Sequence, residues 1–377
     1  MYAYWPIWDG GPRIHRKRGH ILELVLTRNV QSLDKIPNSN RVKVSGSLTK
    51  VLCKNGRSMI HEPRIGAVVL TYNSADDLPA CLDGLLGQKD VDLHIIVVDN
   101  ASNADEREVM SNHFMLRIPD ARILKVGEAP SQVANTKAVF LEHNRNEGYS
   151  AGNNIGARLA VDLGCEAVLV VNPDIRISDP KYISKLWIAM QGEPACAVGG
   201  SRIVNPSGMD ENPLRELRFW EELFWVRQYL PAFLRPPAYV MYNAGDDPMQ
   251  AEKLNGCCMM LCSSFLQKNN YLDDAVFLYS EEPILAARVR RAGQRMMFFP
   301  QMTAIHAHFA TKKGNSSRRM LLFIKSRLYY LRRYSGYGPF AQIALHFSYG
   351  LLWLLHAMKA SITAERRVVD RGKEKSL

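Results

Sequence analysis

Four apolar runs between Ile65 and Asp174 each stop at a polar cluster, and this repetition restricts the fold more than any other feature of the chain. Ile65 to Leu70 ends in Thr71-Tyr72-Asn73, and Leu93 to Val98 in Asp99-Asn100. Ala138 to Leu141 ends in His143-Asn144-Arg145-Asn146, and Ala167 to Val171 in Asn172-Pro173-Asp174. Runs this short and this continuous predict strands buried on both faces, as in a parallel sheet, rather than strands with one wet face. Between the first two, Ser74 is a suitable helix cap, and Leu78, Cys81, Leu82, Leu85 and Leu86 recur at helical spacing. A second helix is expected from Ala151 to Leu163. Strand and helix thus alternate, which implies crossover helices and a ligand site at the carboxyl ends of the strands. The four clusters would then line one edge.

Composition allows such a core: 377 residues with 47% hydrophobic and 23% charged content suit one large or two ordinary globular domains. The seven cysteines are odd in number and show no Cys-x-x-Cys spacing, which points to a reduced, cytoplasmic compartment. The net charge of +11 is unevenly placed, because from Arg288 onward 18 Lys or Arg face 3 acids. That asymmetry asks for an anionic partner, either nucleic acid or an anionic membrane surface. Residues 1–63 have no sustained period and are expected to be an extension. Ile21 to Leu26 is too short for a secretory signal and contains Glu23.

Several clusters carry chemistry. Asp99 could accept from a base imide or a ribose hydroxyl, though an Asp there could equally cap the next helix. In Asn146-Glu147-Gly148-Tyr149-Ser150-Ala151-Gly152-Asn153-Asn154 the glycines allow close backbone approach, and the helix start offers N–H groups to a diphosphate. The segment is neither the dinucleotide-binding Gly-x-Gly-x-x-Gly nor a Walker loop, which speaks against a dehydrogenase or an NTPase. Asp174 could hold Mg²⁺ or Mn²⁺ against a diphosphate, since such ions need few protein oxygens; a turn-forming Pro-Asp pair is the other reading.

As an ordered set these residues resemble the family 2 glycosyltransferases of GT-A fold, in particular a rhamnosyltransferase-like branch, over about Ile65 to Arg333. The resemblance implies an α/β GT-A fold with a mainly parallel central sheet at residues 64–310. Its donor half would be 64–200 and its acceptor half 201–310, followed by a basic amphipathic region at 311–377. It implies that Thr71, Tyr72, Asn73 and Asp99 contact the nucleotide, with Asn100, Arg145, Asn146, Gly148, Asn153 and Asn172 around the donor. Asp174 would bind the divalent metal together with His306, for which His308 is a competitor. Asn255-Gly256-Cys257-Cys258-Met259-Met260 looks like the family's acceptor-side segment, which makes Gly256 and Cys257 acceptor-side residues. Phe277-Leu278-Tyr279-Ser280-Glu281-Glu282-Pro283-Ile284-Leu285 matches the pattern Phe-x-Tyr-x-Glu-Asp-x-Asp-Leu, so Glu282 falls on the catalytic base and Glu281 is its nearest rival.

The match departs from the pattern twice. Glu282 replaces an Asp and is one methylene longer, so it must retract by about 1.5 Å or the acceptor must sit differently. Ile284 replaces the second acid. The implied reaction is an inverting single displacement from a nucleotide-sugar donor. By resemblance the sugar is rhamnose or another deoxysugar, from a thymidine diphosphate donor, and the acceptor a lipid-linked or polysaccharide molecule in cell-envelope synthesis. A scaffold that has lost its base is the alternative. No Gln-x-x-Arg-Trp segment follows the acidic pair, which speaks against a processive synthase.

Arg318 to Arg333 reads as a cationic amphipathic helix. From Tyr334 to Met358 no side chain is charged, and the final apolar stretch of about 19 residues is just long enough to span a bilayer. Gln342, His346, Tyr349 and His356 recur as a polar stripe, which favours a helix lying in the interface instead. Arg332, Arg333, Lys359, Arg366 and Arg367 would add attraction to anionic lipid. The expected location is cytoplasmic, peripheral on the inner face of the membrane, without nucleic acid. Packing on the catalytic domain or against a second subunit, as a homo-oligomer, would use the same face.

Overall fold

All four apolar runs are strands, and they lie side by side. A computed structural model describes residues 62–128, 133, 136–225, 239–243, 245–307 and 316–374. Its strands are β1 (Arg64–Thr71), β2 (Asp92–Asn100), β3 (Arg122–Lys125), β4 (Ala138–His143), β5 (Ala167–Val171), β6 (Ile175–Arg176), β7 (Cys196–Val204), β8 (Met249–Gln250), β9 (Cys258–Cys262) and β10 (Arg295–His306). Its helices are α1 (Leu78–Leu86), α2 (Ala104–Arg117), α3 (Tyr149–Asp162), α4 (Tyr182–Gly192), α5 (Phe219–Leu223), α6 (Ser263–Lys268), α7 (Glu281–Arg291), α8 (Ser316–Arg333) and α9 (Pro339–Glu374).

The sheet runs β3-β4-β2-β1-β5-β9-β7-β10-β6, with β8 paired to β10. From β3 through β5 every pairing is parallel, whereas β9 is antiparallel to both β5 and β7. Register brings the predicted clusters level: Thr71 lies opposite Asp99, and Asn100 opposite His143. Ile65, Val68, Val97, Val98, Leu169 and Val170 are all essentially inaccessible, the two-sided burial that their continuous apolar runs demand. Helix α3 can lie so close because it presents glycine: a Cβ on Gly156 would fall 2.5 Å from Val68 Cγ1.

Local corrections have simple causes. Ser74 does not cap α1; its carbonyl accepts the N–H groups of Asp77 and Leu78, so a turn precedes the helix and Asp77 takes the N-cap position. Strand β2 is not stopped by Asp99-Asn100 but runs through them, since both are buried and paired within the sheet. No apolar period predicts α2 or β3. Helix α2 buries only Met110 and Phe114, and β3 is an edge strand with no buried residue, so neither carries a strong apolar period. Residues 1–61 and His308 lie outside the described residues.

Helices α8 and α9 dock on the domain through a buried charge. Glu222 on α5 receives both Arg327 from α8 (Nε to Oε2, 3.1 Å, and Nη2 to Oε1) and the Tyr349 hydroxyl from α9 (2.5 Å). Trp225 Nε1 donates to Ser348 O at 3.1 Å beside them. This corrects the predicted polar stripe, because Tyr349 is fully buried along with Leu345 and Leu352. The opposite face of α9 is apolar and open, with Phe340 88% and Phe347 77% exposed and Ile343, Leu351, Leu354 and Met358 alongside. Among the described residues no helix is long and apolar enough to cross a membrane.

Candidate active site

At the end of β1, Thr71 is buried and its hydroxyl donates to Val98 O at 3.2 Å, tying the first two strand ends together. Tyr72 is exposed, and Asn73 takes a left-handed φ of +50°. That turn is held from β2's side: Asn73 N–H donates to Ser102 Oγ (2.8 Å), and Asn73 Oδ1 accepts from Asn103 N–H (3.0 Å). Asp99 is fully buried. Its Oδ1 accepts from Ser102 N–H and its Oδ2 pairs with Arg107 Nε at 2.6 Å, so the carboxylate organises the loop that faces the first strand end. Arg107 was missed in the sequence because its helix was.

The next cluster shapes the glycine turn. Asn100 Nδ2 donates to Asn146 Oδ1 and to Gly148 O, each at 3.1 Å, while Arg145 stays exposed. Gly148 has a φ of +97°, and a Cβ there would fall 2.1 Å from Phe277 O. Tyr149 N–H donates to that same carbonyl at 3.0 Å, which stitches the start of α3 to the acidic segment. Asn153 is buried within α3 and donates to Tyr149 O at 3.0 Å.

Beyond β5, Asn172 N–H donates to Cys257 O at 2.8 Å and so joins the donor side to the acceptor-side segment. Arg176 holds the following turn, donating to Pro173 O at 2.7 Å and pairing with Asp77 at 3.1 Å. Asp174 is buried, and His306 lies at the antiparallel β10–β6 contact with its Nε2 3.4 Å from Asp174 Oδ2. The other ring nitrogen, Nδ1, is 2.5 Å from Glu211 Oε2. Burial pushes the Glu211 carboxyl above its ordinary value; the Asn205 side chain opposes this and the Asp174 charge adds to it. Glu211 sits in irregular chain after β7, where no periodicity could have flagged it.

A hard carboxylate oxygen and an imidazole nitrogen this close suit Mg²⁺ or Mn²⁺, which accept one or two protein ligands and fill the rest with phosphate oxygens and water. Among the described residues no group of three or more His, Cys, Asp or Glu could hold a metal.

The acidic pair opens α7 after two consecutive non-glycine residues at positive φ, Tyr279 (+73°) and Ser280 (+66°). The two glutamates meet different surroundings. Glu281 lines a cavity of about 10 Å³ with Tyr149, Asp273 and Arg288. Burial, and then the charge of Glu282, push its carboxyl up to about 8. Glu282 turns to the acceptor-side segment, since a Cβ on Gly256 would lie 3.6 Å from its Oε1. Tyr149 Oη donates to Gly256 O at 2.5 Å and holds that segment in place. Burial, followed by the charges of Glu282 and Glu281, raises the Tyr149 phenol well above its usual range. Cys257 is buried, and burial raises its thiol likewise. Ile284, at the pattern's second departure, is a core residue at 2% exposure.

Such a sheet, with its polar strand ends and with β9 reversed between β5 and β7, is the GT-A fold. A structure described as GalNAc-T7 with UDP, GalNAc and Mn²⁺ shares it, with a TM-score of 0.51 and 11% identity over 71% of this chain. The chain spans about half of that protein's length, 48%. A mannosyltransferase from Pyrobaculum calidifontis, solved with GDP-Man and Mn²⁺, aligns with a TM-score of 0.47 and 15% identity over 83% of this chain and 80% of its own. Residues 67–247 match the family model Glycosyl transferase family 2. The chain is also similar to the low-salt glycan biosynthesis hexosyltransferase Agl10 of Haloferax volcanii, 25% identical over 257 residues, covering 67% of this chain and 70% of that protein.

Proposed function

We propose that the protein is an inverting glycosyltransferase that moves one sugar from a nucleoside-diphosphate donor to an acceptor hydroxyl held near Gly256. The observation that carries this reading is the convergence of two sets of residues. Four polar strand ends and the Asp174–His306 pair lie on one side, and Glu282 faces the acceptor-side segment on the other. Thr71, Tyr72, Asn73 and the Asp99-organised loop would receive the nucleotide, and the amide groups opening α3 the diphosphate. Asp174 and His306 would hold Mg²⁺ or Mn²⁺, which when bound supplies positive charge against the departing diphosphate. Glu282 takes the proton of the acceptor hydroxyl as its oxygen bonds to the anomeric carbon and the bond to the diphosphate breaks. Glu281, pushed up by burial, keeps its own proton and is not the base in this reading.

The finer reading is a deoxysugar such as rhamnose, carried to a lipid-linked or polysaccharide acceptor on the inner face of the cell membrane. Support for a lipid-borne acceptor comes from the open apolar face of α9 next to exposed Arg332 and Arg333. Release of nucleoside diphosphate from a panel of nucleotide sugars tests the function. Turnover is expected with one donor class, and Asp174→Ala should abolish it. Tight donor binding without turnover, whatever acceptor is supplied, would leave a scaffold instead.

A further inference from the structure

We infer that Glu211 is a positioning residue that sets the tautomer of His306, so that the imidazole offers its Nε2 lone pair, not an N–H, to the ion that Asp174 helps to hold. The inference rests on the metal reading of Asp174 and His306 given above, and adds a residue that neither the motif nor the family match supplies.

The two ring nitrogens of His306 face opposite acids. Nδ1 is 2.5 Å from Glu211 Oε2, a short charge-assisted contact, while Nε2 is 3.4 Å from Asp174 Oδ2, too long for a strong hydrogen bond. An ionised carboxylate has only acceptor sites, so with Glu211 ionised the nitrogen that touches it carries the proton. In a neutral ring the other nitrogen is then an acceptor, and it is the one beside Asp174. Metal-ligating histidines are commonly held this way, with the second ring N–H given to a carboxylate.

Glu211 is itself built in. It is 7% exposed, and Asn205 Nδ2 reaches its Oε1 at 3.4 Å. Its backbone is pinned twice: its N–H donates to Ile203 O at 2.8 Å, and its carbonyl accepts from Asn255 Nδ2 at 3.2 Å. Asn255 also accepts, through Oδ1, the N–H of Cys257 at 3.1 Å. Glu211 therefore holds the histidine from the acceptor-side framework, while Asp174 comes from the donor-side framework. Competing roles are purely structural: a doubly protonated His306 bridging two carboxylates, or a neutral Glu211, the form burial favours, giving its own proton to Nδ1. Either arrangement would leave Nε2 protonated and closed to an ion.

The two roles separate by experiment. The tautomer is read by long-range ¹H–¹⁵N NMR of the full chain, with His306 assigned by His306→Gln, and Mn²⁺ affinity is read by the EPR signal of free Mn²⁺. In the unsubstituted protein the Nδ1–H form is expected, together with measurable Mn²⁺ binding. In Glu211→Gln the amide can donate to Nδ1, which moves the proton to Nε2, and Mn²⁺ affinity should fall about 10- to 100-fold. Glu211→Asp keeps an acceptor and should retain both the tautomer and most of the affinity. Unchanged Mn²⁺ binding in Glu211→Gln, with wild-type protein binding normally, overturns the role of Glu211 alone. Wild-type protein that binds no Mn²⁺ overturns the metal reading beneath it. Should Glu211→Gln fail to fold, a wild-type ring protonated on Nε2 refutes the inference by itself.

Discussion

Glu281 and Glu282 are neighbours in one helical turn, and only their surroundings tell them apart. The sequence shows the pair and a family pattern that favours the second, but it cannot show that Gly256 comes up to one carboxylate and Tyr149 with Arg288 to the other. Removing a general base costs about 10²- to 10⁴-fold in rate, so Glu282→Gln should lose that much turnover while Glu281→Gln keeps most of it. Single-turnover rates of the two variants check the assignment. Glu281 also makes a prediction about stability. Its folded carboxyl is raised from an ordinary 4.5 to about 8, so between those values the folded state binds more protons than the unfolded chain. Stability from this group is therefore full below about pH 4.5, declines as pH rises through the window, and is flat above about pH 8. Glu281→Gln should melt above wild type at pH 8.5 and close to it at pH 5. A difference independent of pH would show that the carboxyl does not hold a proton when folded.

At the level of elements, the four strands and α3 were legible because burial on two faces leaves an unbroken apolar run, while α2 and the edge strand β3 bury too little to leave a period. Two junctions between elements can be tested. The start of α3 touches the acidic segment at Gly148, where φ is positive and Phe277 O leaves no room for a Cβ. Gly148→Ala should cost more than about 1 kcal/mol in urea unfolding and slow turnover, because the shift is passed to residues 277–282. The second junction is Arg327 on Glu222, both buried where α5, α8 and α9 meet. Arg327→Ala leaves a carboxylate buried without its cation and should cost about 3–5 kcal/mol, read by the same denaturation. A loss within a few tenths would mean that the C-terminal helices do not depend on that contact.

For the whole molecule, charge and apolar surface are segregated: the basic excess follows Arg288, and the open face of α9 lies within it. That segregation was visible in the sequence, but which side of α9 is buried was not, because Tyr349 looks polar in a sequence and is core in the fold. Protein co-floated with vesicles rich in anionic lipid should bind, less so as salt rises, and Phe340→Glu combined with Phe347→Glu should abolish binding without changing the melting temperature. Equal recovery of variant and wild type in the floating fraction would rule the face out.

Strand β9 runs against its neighbours, so Gly256 and Cys257 reach the site before their strand, whereas Thr71, Asn100 and Asp174 reach it at or after the ends of theirs. Opposite strand directions thus bring separate stretches of the chain to one edge. On the function proposed above, loops downstream of β1, β2, β4 and β5 would compose the donor's side, and the connection from β7 to β9 together with the start of α7 the acceptor's. Residues 205–256 also carry Glu211, which meets His306, and Glu222, which meets Arg327 and Tyr349, so a change of length there is felt at β10 and at the C-terminal helices as well.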